Sequence, residues 1–469
     1  MSGAGGEGFA GFYFRVPVMH LATFPQTARV CVVVCLSMLV GVAGFAQEPV
    51  GPDRFWPQWR GPLGTGVAPH GTPPVEWSES TNVRWKVEIP GRGSSTPVIW
   101  GDRLFVLTAV PTGDEARSQG GLFTRLRRRI MGGVAATHAQ RFMVLAIDRR
   151  DGRVIWERVA QEELPHEGTH QTGTWASPSA VTDGEVVCAF FGSRGLYCYD
   201  LDGRPLWETD LGDMRIRMGF GEGASPTLYR DLLIVLWDHE GDSFIVAFDK
   251  RTGRERWRTP RDEKTSWTSP LVVELEEGAQ VVTSATGAVR GYDVDTGRLL
   301  WQDEGVTQNA IPSPVAADGV VFVTSGYRGN RLAAIDLSVA SGDVRGSGAV
   351  IWSVDRDTPY VSSPLLHDGL VYVLKGNSGV LTSFDARTGA RRYGPERLSG
   401  IRNVYASPVA AGGRLYVTSR DGMTIVLRAG PTFEVLAINT LDDGFDASPA
   451  IVDGEIYLRG QQFLYCIAE

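Results

Sequence analysis

The densest group of chemically able residues is His166-Glu167-Gly168-Thr169-His170. It matches H-E-x-x-H, the spacing at which two His one helical turn apart hold zinc while the Glu activates water. That chemistry needs a helix. Pro165 and Gly168 flank or interrupt the segment, and Trp175 to Ser179 starts a strand almost at once, so the helical reading is set aside. A non-helical metal site is the remaining expectation, with His166 and His170 joined by His239 and Glu240. The second chemical signal is aromatic. Trp175, Trp267 and Tyr405 each stand three residues before a Pro, and flat faces in one phase either stack on a planar ligand or sugar ring or fill a channel.

These residues sit on a repeat. A small residue followed by Ser-Pro or Thr-Pro recurs, with Pro at 97, 178, 226, 270, 314, 364, 408 and 449. The period is about 44 residues, with one insertion in the first unit, and periods of roughly 40 to 50 residues built from short strands mark propeller blades. Each Pro opens a short apolar strand that ends in a tight turn such as Asp183-Gly184 or Asp318-Gly319. A second strand follows, then a third ending in Asp (Asp148, Asp200, Asp249, Asp293, Asp336, Asp385), then a Gly turn and a fourth strand marked by Trp156, Trp207, Trp257, Trp301 or Trp352. A Pro heading each innermost strand is tolerable because an edge strand can spare a backbone donor.

The expected fold is all-β, an eight-bladed β-propeller of four-stranded antiparallel blades over residues 82–469. The eighth unit lacks its fourth strand, and Val83-Arg84-Trp85-Lys86-Val87 supplies one that closes the ring and removes the open edges. In such a blade the loops from fourth to first and from second to third strands share one face. Those loops vary, as a binding face on a rigid scaffold does. They carry the expected ligand-binding residues: Trp175, Trp267, Tyr405, Arg215, Arg217, Asp238, Arg328, Lys375, Asn403, Asp443 and Asp446. The opposite turns are short, except for Ser338 to Gly348. The repeated Trp are expected to pack between blades. Cys188, Cys198 and Cys466 fall at core positions and are expected to fill it, with pairing of Cys188 and Cys198 across their hairpin left open.

The cycle of Ser-Pro, Gly-Asp and Asp-x-x-Thr-Gly-x-x-x-Trp resembles the pyrroloquinoline-quinone (PQQ) type repeat, and Trp56-Pro57-Gln58-Trp59-Arg60-Gly61-Pro62 is similar to the opening of many exported members. The repeat is shared by PQQ-dependent dehydrogenases and by the cofactor-free periplasmic propeller of the outer-membrane assembly machinery. The resemblance implies either a non-catalytic scaffold or an oxidoreductase of alcohols or sugars, with PQQ and a divalent metal at the channel mouth. The vicinal Cys pair that large quinoproteins place over the cofactor is absent, and no metal-ligand set carries over residue by residue. The scaffold reading is preferred, with an envelope protein, peptide or glycan as partner.

Residues 1–46 read as an export signal: Arg29, the apolar run Val30 to Val42, and Gly44-Phe45-Ala46 before the expected cleavage. Met19 would give a more ordinary start, leaving 1–18 upstream of it. Neither Cys31 nor Cys35 follows the small residue that a lipid anchor requires. Residues 47–81 form a lead-in. A net charge of −8 argues against nucleic acid as partner. The insertion at 111–140 is basic and amphipathic, with Arg125, Arg127, Arg128 and Arg129 beside Leu122, Phe123, Leu126 and Ile130, a candidate contact for a membrane surface.

Overall fold

The computed structural model describes residues 51–113 and 132–469; the expected export signal at 1–46 and the centre of the basic insertion lie outside them. Eight antiparallel four-stranded blades form an eight-bladed β-propeller. The first blade consists of Val98–Trp100, Arg103–Thr112, Ala139–Asp148 and Val154–Glu163. Its second and third strands continue past the blade body as a hairpin, with Thr112 opposite Ala139, and the insertion hangs from that tip. In the eighth blade, Ala450–Val452, Glu455–Arg459 and Phe463–Ile467 are completed by Val83–Glu88, with Trp85 opposite Cys466 and Glu88 opposite Phe463. The closing strand is the one expected from the incomplete last repeat.

Middle strands such as Val186–Phe190 and Leu370–Leu374 are buried along their whole length, because neighbouring blades cover both faces. Outer strands alternate instead. The repeated Trp locks blade to blade. Trp207 Nε1 donates to Lys250 O at 2.8 Å, and Trp85, Trp156, Trp257 and Trp352 each reach the equivalent carbonyl of the next blade at 2.9 Å. The indole lies on the Gly of the next blade's turn. At Gly253, φ is +69° and a Cβ would stand 2.6 Å from the Trp207 ring, so both conformation and space demand glycine.

Trp301 departs from this pattern and donates to Gln280 Oε1 of its own blade at 2.8 Å. The reason is the Ser338 to Gly348 stretch. It replaces the short Thr-Gly turn and lays Gly342–Asp343 as a parallel fifth strand along the outer edge of the fourth blade.

A ring of hydroxyls surrounds the channel. The backbone N–H of Thr96 donates to Ser179 Oγ, that of Ser179 to Ser225 Oγ, and so on through Ser269, Ser313, Ser363 and Ser407 to Ser448, at 2.8 to 2.9 Å. Seven junctions are tied this way. At the eighth, between the last and first blades, Thr96 Oγ1 is buried without a partner, and Arg459 reaches across to Ser95 Oγ at 2.9 Å.

The lead-in is part of the propeller. Trp56 exchanges backbone hydrogen bonds with Ile99 of the first blade, and Pro57 O accepts from Thr182 N of the second. Val67–Ala68 then pairs in parallel with Val409–Ala411 of the seventh. Between these anchors, residues 58–64 cross the channel against Ser225-Pro226, Ser269-Pro270 and Ser313-Pro314.

Cys188 and Cys198 are opposite each other in register, with Cα atoms 4.2 Å apart, and form a disulfide. The expected role of simple core filling is corrected for these two. Their facing positions in one hairpin bring the thiols together, whereas Cys466 is a free buried thiol.

Candidate functional site

Where the fourth-to-first loops converge, the channel opens into a cavity of about 260 Å³. Its wall has a simple construction. One residue per blade, two before the ring hydroxyl, faces it: Ser94, Ser177, Gly223, Trp267, Ile311, Val361, Tyr405 and Asp446. Trp59 of the lead-in forms the floor, and Phe220, Tyr360 and His170 add to the rim.

The aromatic groups are fixed in place. Trp267 Nε1 is committed to Gly221 O at 2.7 Å, so what remains for a ligand is the indole face. Tyr405 carries the Arg420 guanidinium 4.6 Å above its ring. Tyr360 stacks on Tyr327 with centroids 4.8 Å apart, and burial pushes its hydroxyl pKa up. Asp446 pairs with Arg420 at 2.5 Å. Burial raises the Asp446 carboxyl above its usual range, against the pull of Arg420. His170 is lowered by burial and by the same Arg420.

Trp267, Tyr405 and Asp446 therefore stand at the mouth as expected. Trp175 does not. In the second blade the ring hydroxyl is Ser179, which follows Pro178, whereas elsewhere the ring residue precedes its Pro. The phase measured from Pro thus lands two residues early. Ser177 takes the place at the mouth, and Trp175 turns into a neighbouring crevice with its Nε1 3.3 Å from Glu167 O.

Asp238 is also corrected. It forms a fully buried ion pair with Arg261 at 2.7 Å, accepts from Ser266 Oγ at 2.8 Å, and is closed to ligands. Asp443 is occupied by backbone, accepting from Gly444, Gln461, Gln462 and Phe463 N–H groups. Arg215, Arg328 and Lys375 are exposed on the loop face. Arg215 Nη2 reaches Glu240 O at 3.2 Å and Lys375 pairs with Asp357 at 3.0 Å. Arg217 and Asn403 are half-buried between loops, Arg217 N donating to Thr265 Oγ1 and Asn403 O accepting from Arg420 N.

The four residues considered for metal do not converge. Thr169–His170 is a short strand paired with Gly133–Val134 rather than a helix, which separates the two His of the motif. His166 Nε2 lies 2.7 Å from Met214 O, and His170 Nδ1 lies 2.7 Å from Thr172 Oγ1. His239 Nδ1 accepts from Arg215 N, and Glu240 accepts from Thr265 Oγ1. Among the described residues no group of three His, Cys, Asp or Glu side chains is placed to hold a metal.

Sequence reasoning missed Trp59, Ser94, Phe220 and Tyr360. Ser94 was recoverable by applying the phase of Trp267 to every blade. Trp59 was not, because nothing in the repeat shows that the lead-in enters the channel.

A family model described as outer membrane protein assembly factor BamB matches residues 140–342 and 306–427. The outer membrane protein assembly factor BamB of Yersinia pestis is 23% identical over 359 residues, covering 73% of this chain and 84% of its own. That of Burkholderia pseudomallei is 23% identical over 328 residues, covering 63% and 75%. The solved structure of the computationally designed Ika8 protein is similar over 85% of this chain and 100% of its own at 12% identity, with a TM-score of 0.53. This last likeness speaks for the fold alone.

Proposed function

The chain belongs to the family of the outer membrane protein assembly factor BamB, and from that premise we propose that it is an exported scaffold, without chemistry of its own, that holds an envelope protein or peptide on its loop face. The observation that carries this reading is the build of that face. Its loops are braced by internal ion pairs such as Arg420 with Asp446 and Lys375 with Asp357, while aromatic faces stay open to a central cavity. Rigid, pre-organised aromatic surface lowers the entropic cost of binding.

A quinone cofactor fits this cavity poorly. PQQ carries three carboxylates. Among the described residues no Lys or Arg lines the cavity, whereas Glu222 and Asp446 do, so the carboxylates of PQQ would meet like charge.

The test is photo-crosslinking in intact cells from Arg215, Arg328 and Lys375, with Arg298 and Arg387 on the opposite turns as controls. The expected result is adducts with an envelope protein from the loop face only. Equal labelling from both faces, or none from the loop face, would overturn the reading.

A further inference from the structure

We infer that the channel-mouth cavity is a binding site for a neutral pyranose, the terminal sugar of a glycan; this rests on the binding reading above and names a ligand class for the centre of the same face. Three independent features point to it.

The first is shape. A cavity of about 260 Å³ lies just below the roughly 300 to 1,000 Å³ of drug-sized sites, which suits one small ring. Its aromatic walls, Trp267 and Tyr405, each have their polar or second side committed, to Gly221 O and to Arg420. Trp267 is left with its flat apolar face, and Tyr405 with the ring face that Arg420 does not cover.

The second is the hydroxyl ring. Ser179, Ser225 and Ser448 line the cavity, and each Oγ accepts a backbone N–H from the preceding blade. A serine hydroxyl has one proton to give besides its lone pairs. Among the described residues none of the three gives that proton to a protein acceptor, so three hydroxyls at the cavity wall keep a donor for a ligand. A site built around such groups rejects ligands that leave them unpaired.

The third is charge. Asp446 is neutralised by Arg420 at 2.5 Å. Glu222 is held by the Ser193 N–H at 2.8 Å and by the Ser193 hydroxyl. The carboxylate oxygens can accept from sugar hydroxyls; among the described residues no Lys or Arg lines the cavity to select an anion, and both carboxylates are already engaged, by Arg420 and by Ser193. A neutral polyol with one flat apolar face satisfies all three features. A basic or an acidic side chain of a partner protein does not.

The experiment is saturation-transfer NMR and calorimetry of the full-length mature protein with the methyl glycosides of glucose, galactose, mannose and N-acetylglucosamine. Methyl glucuronide, glucosamine and N-acetyl-tryptophanamide serve as competitors. At least one neutral glycoside should bind. Binding should weaken tenfold or more in Trp267→Ala and in Tyr405→Ala, and should disappear in Val361→Trp, which fills the cavity without removing a polar group. Melting curves identify variants that fail to fold, and Tyr405→Phe, which keeps the ring, should bind as the parent does.

Failure of every neutral glycoside, binding that survives Val361→Trp, or tighter binding of the charged sugars or the tryptophan amide would each overturn the inference. Crosslinks from Arg215, Arg328 and Lys375 do not depend on the cavity. Their persistence in Val361→Trp would leave the scaffold reading standing while the sugar site fell.

Discussion

Arg60 Nη2 donates to the carbonyl of Pro364 at 2.8 Å, joining the lead-in to the head of the sixth blade across 304 residues of sequence. Nη1 reaches Pro408 O of the seventh blade at 3.1 Å, and Nη2 also reaches Thr65 O at 3.1 Å. The guanidinium has backbone carbonyls as its partners. Burial pushes its pKa down to about 9, so its charge is a cost that the carbonyl bonds offset. Arg60→Ala should destabilise the fold by about 2 to 4 kcal/mol, because buried carbonyls lose their donor at about 1 to 3 kcal/mol each with partial relaxation. Urea unfolding measures this, and limited proteolysis should show earlier cleavage between residues 55 and 77.

The Trp and Gly that meet between blades should be mutually dependent. Trp207→Phe removes the bond to Lys250 O and should cost about 1 kcal/mol; Trp207→Ala should cost about 3 to 5 kcal/mol. Gly253→Ala, placed at positive φ against the same ring, should cost more than 1 kcal/mol, and in the double variant with Trp207→Ala part of that cost should vanish. Chemical denaturation of the four proteins closes the cycle.

Reduction should matter for the second blade. A bridge across ten residues of separation is worth about 2 to 3 kcal/mol on the chain-entropy account. Cys188→Ala with Cys198→Ala should lower the melting temperature accordingly, and dithiothreitol should lower that of the parent but leave the double variant unchanged. Thiol titration of the unfolded protein spanning residues 47–469 should find Cys466 as the reactive group until a reductant is added.

Acid should loosen the blade turns, which neutral pH leaves intact. The Arg150 side chain beside Asp148, Arg251 beside Glu185, and Thr388 followed by Arg392 beside Asp385 hold these carboxyls at about 2. Since the unfolded chain binds those protons more readily, the stability they add is complete above the ordinary carboxylate range and is lost as pH falls towards 2. Melting temperature followed from pH 6 to 2.5 should decline through that window. Asp385→Asn should lower it at pH 6 and flatten the decline.

Removing one half of the buried pair beneath the loop face should be severe. Asp238→Asn leaves Arg261 charged in a dry site and should cost about 3 to 5 kcal/mol. Arg215→Ala on the exposed surface above should change stability by less than about 0.5 kcal/mol. Thermal unfolding of both separates framework from binding surface.

The parts legible in the sequence were those fixed by local chemistry repeated many times. Tight Asp-Gly turns, an Asp ending six of the eight third strands and a Trp in six of the eight fourth strands marked the blade. The one incomplete unit located its missing strand at Val83. What escaped depended on meetings between distant segments. Asp238 looks like a surface residue in a polar loop, and only the arrival of Arg261 from the outer strand of the same blade buries it. Trp175 carries the right side chain after the right interval, but Pro178 is displaced by two residues against the hydroxyl ring. Trp59 lies in a stretch without the repeat, so periodicity says nothing of its position in the channel.

The eighth blade has a consequence for how the molecule comes into being. Val83–Glu88 is among the earliest segments of the propeller to be made, yet its partner is Phe463–Ile467. Until that late segment is available, an outer strand must wait unpaired while seven blades assemble beside it. Pairing at such separation is slow because loop-closure entropy is paid before contacts repay it, and a waiting edge is exposed to aggregation. This arrangement postpones final closure until the last segment has been made and makes the open ring the form that a chaperone would have to guard.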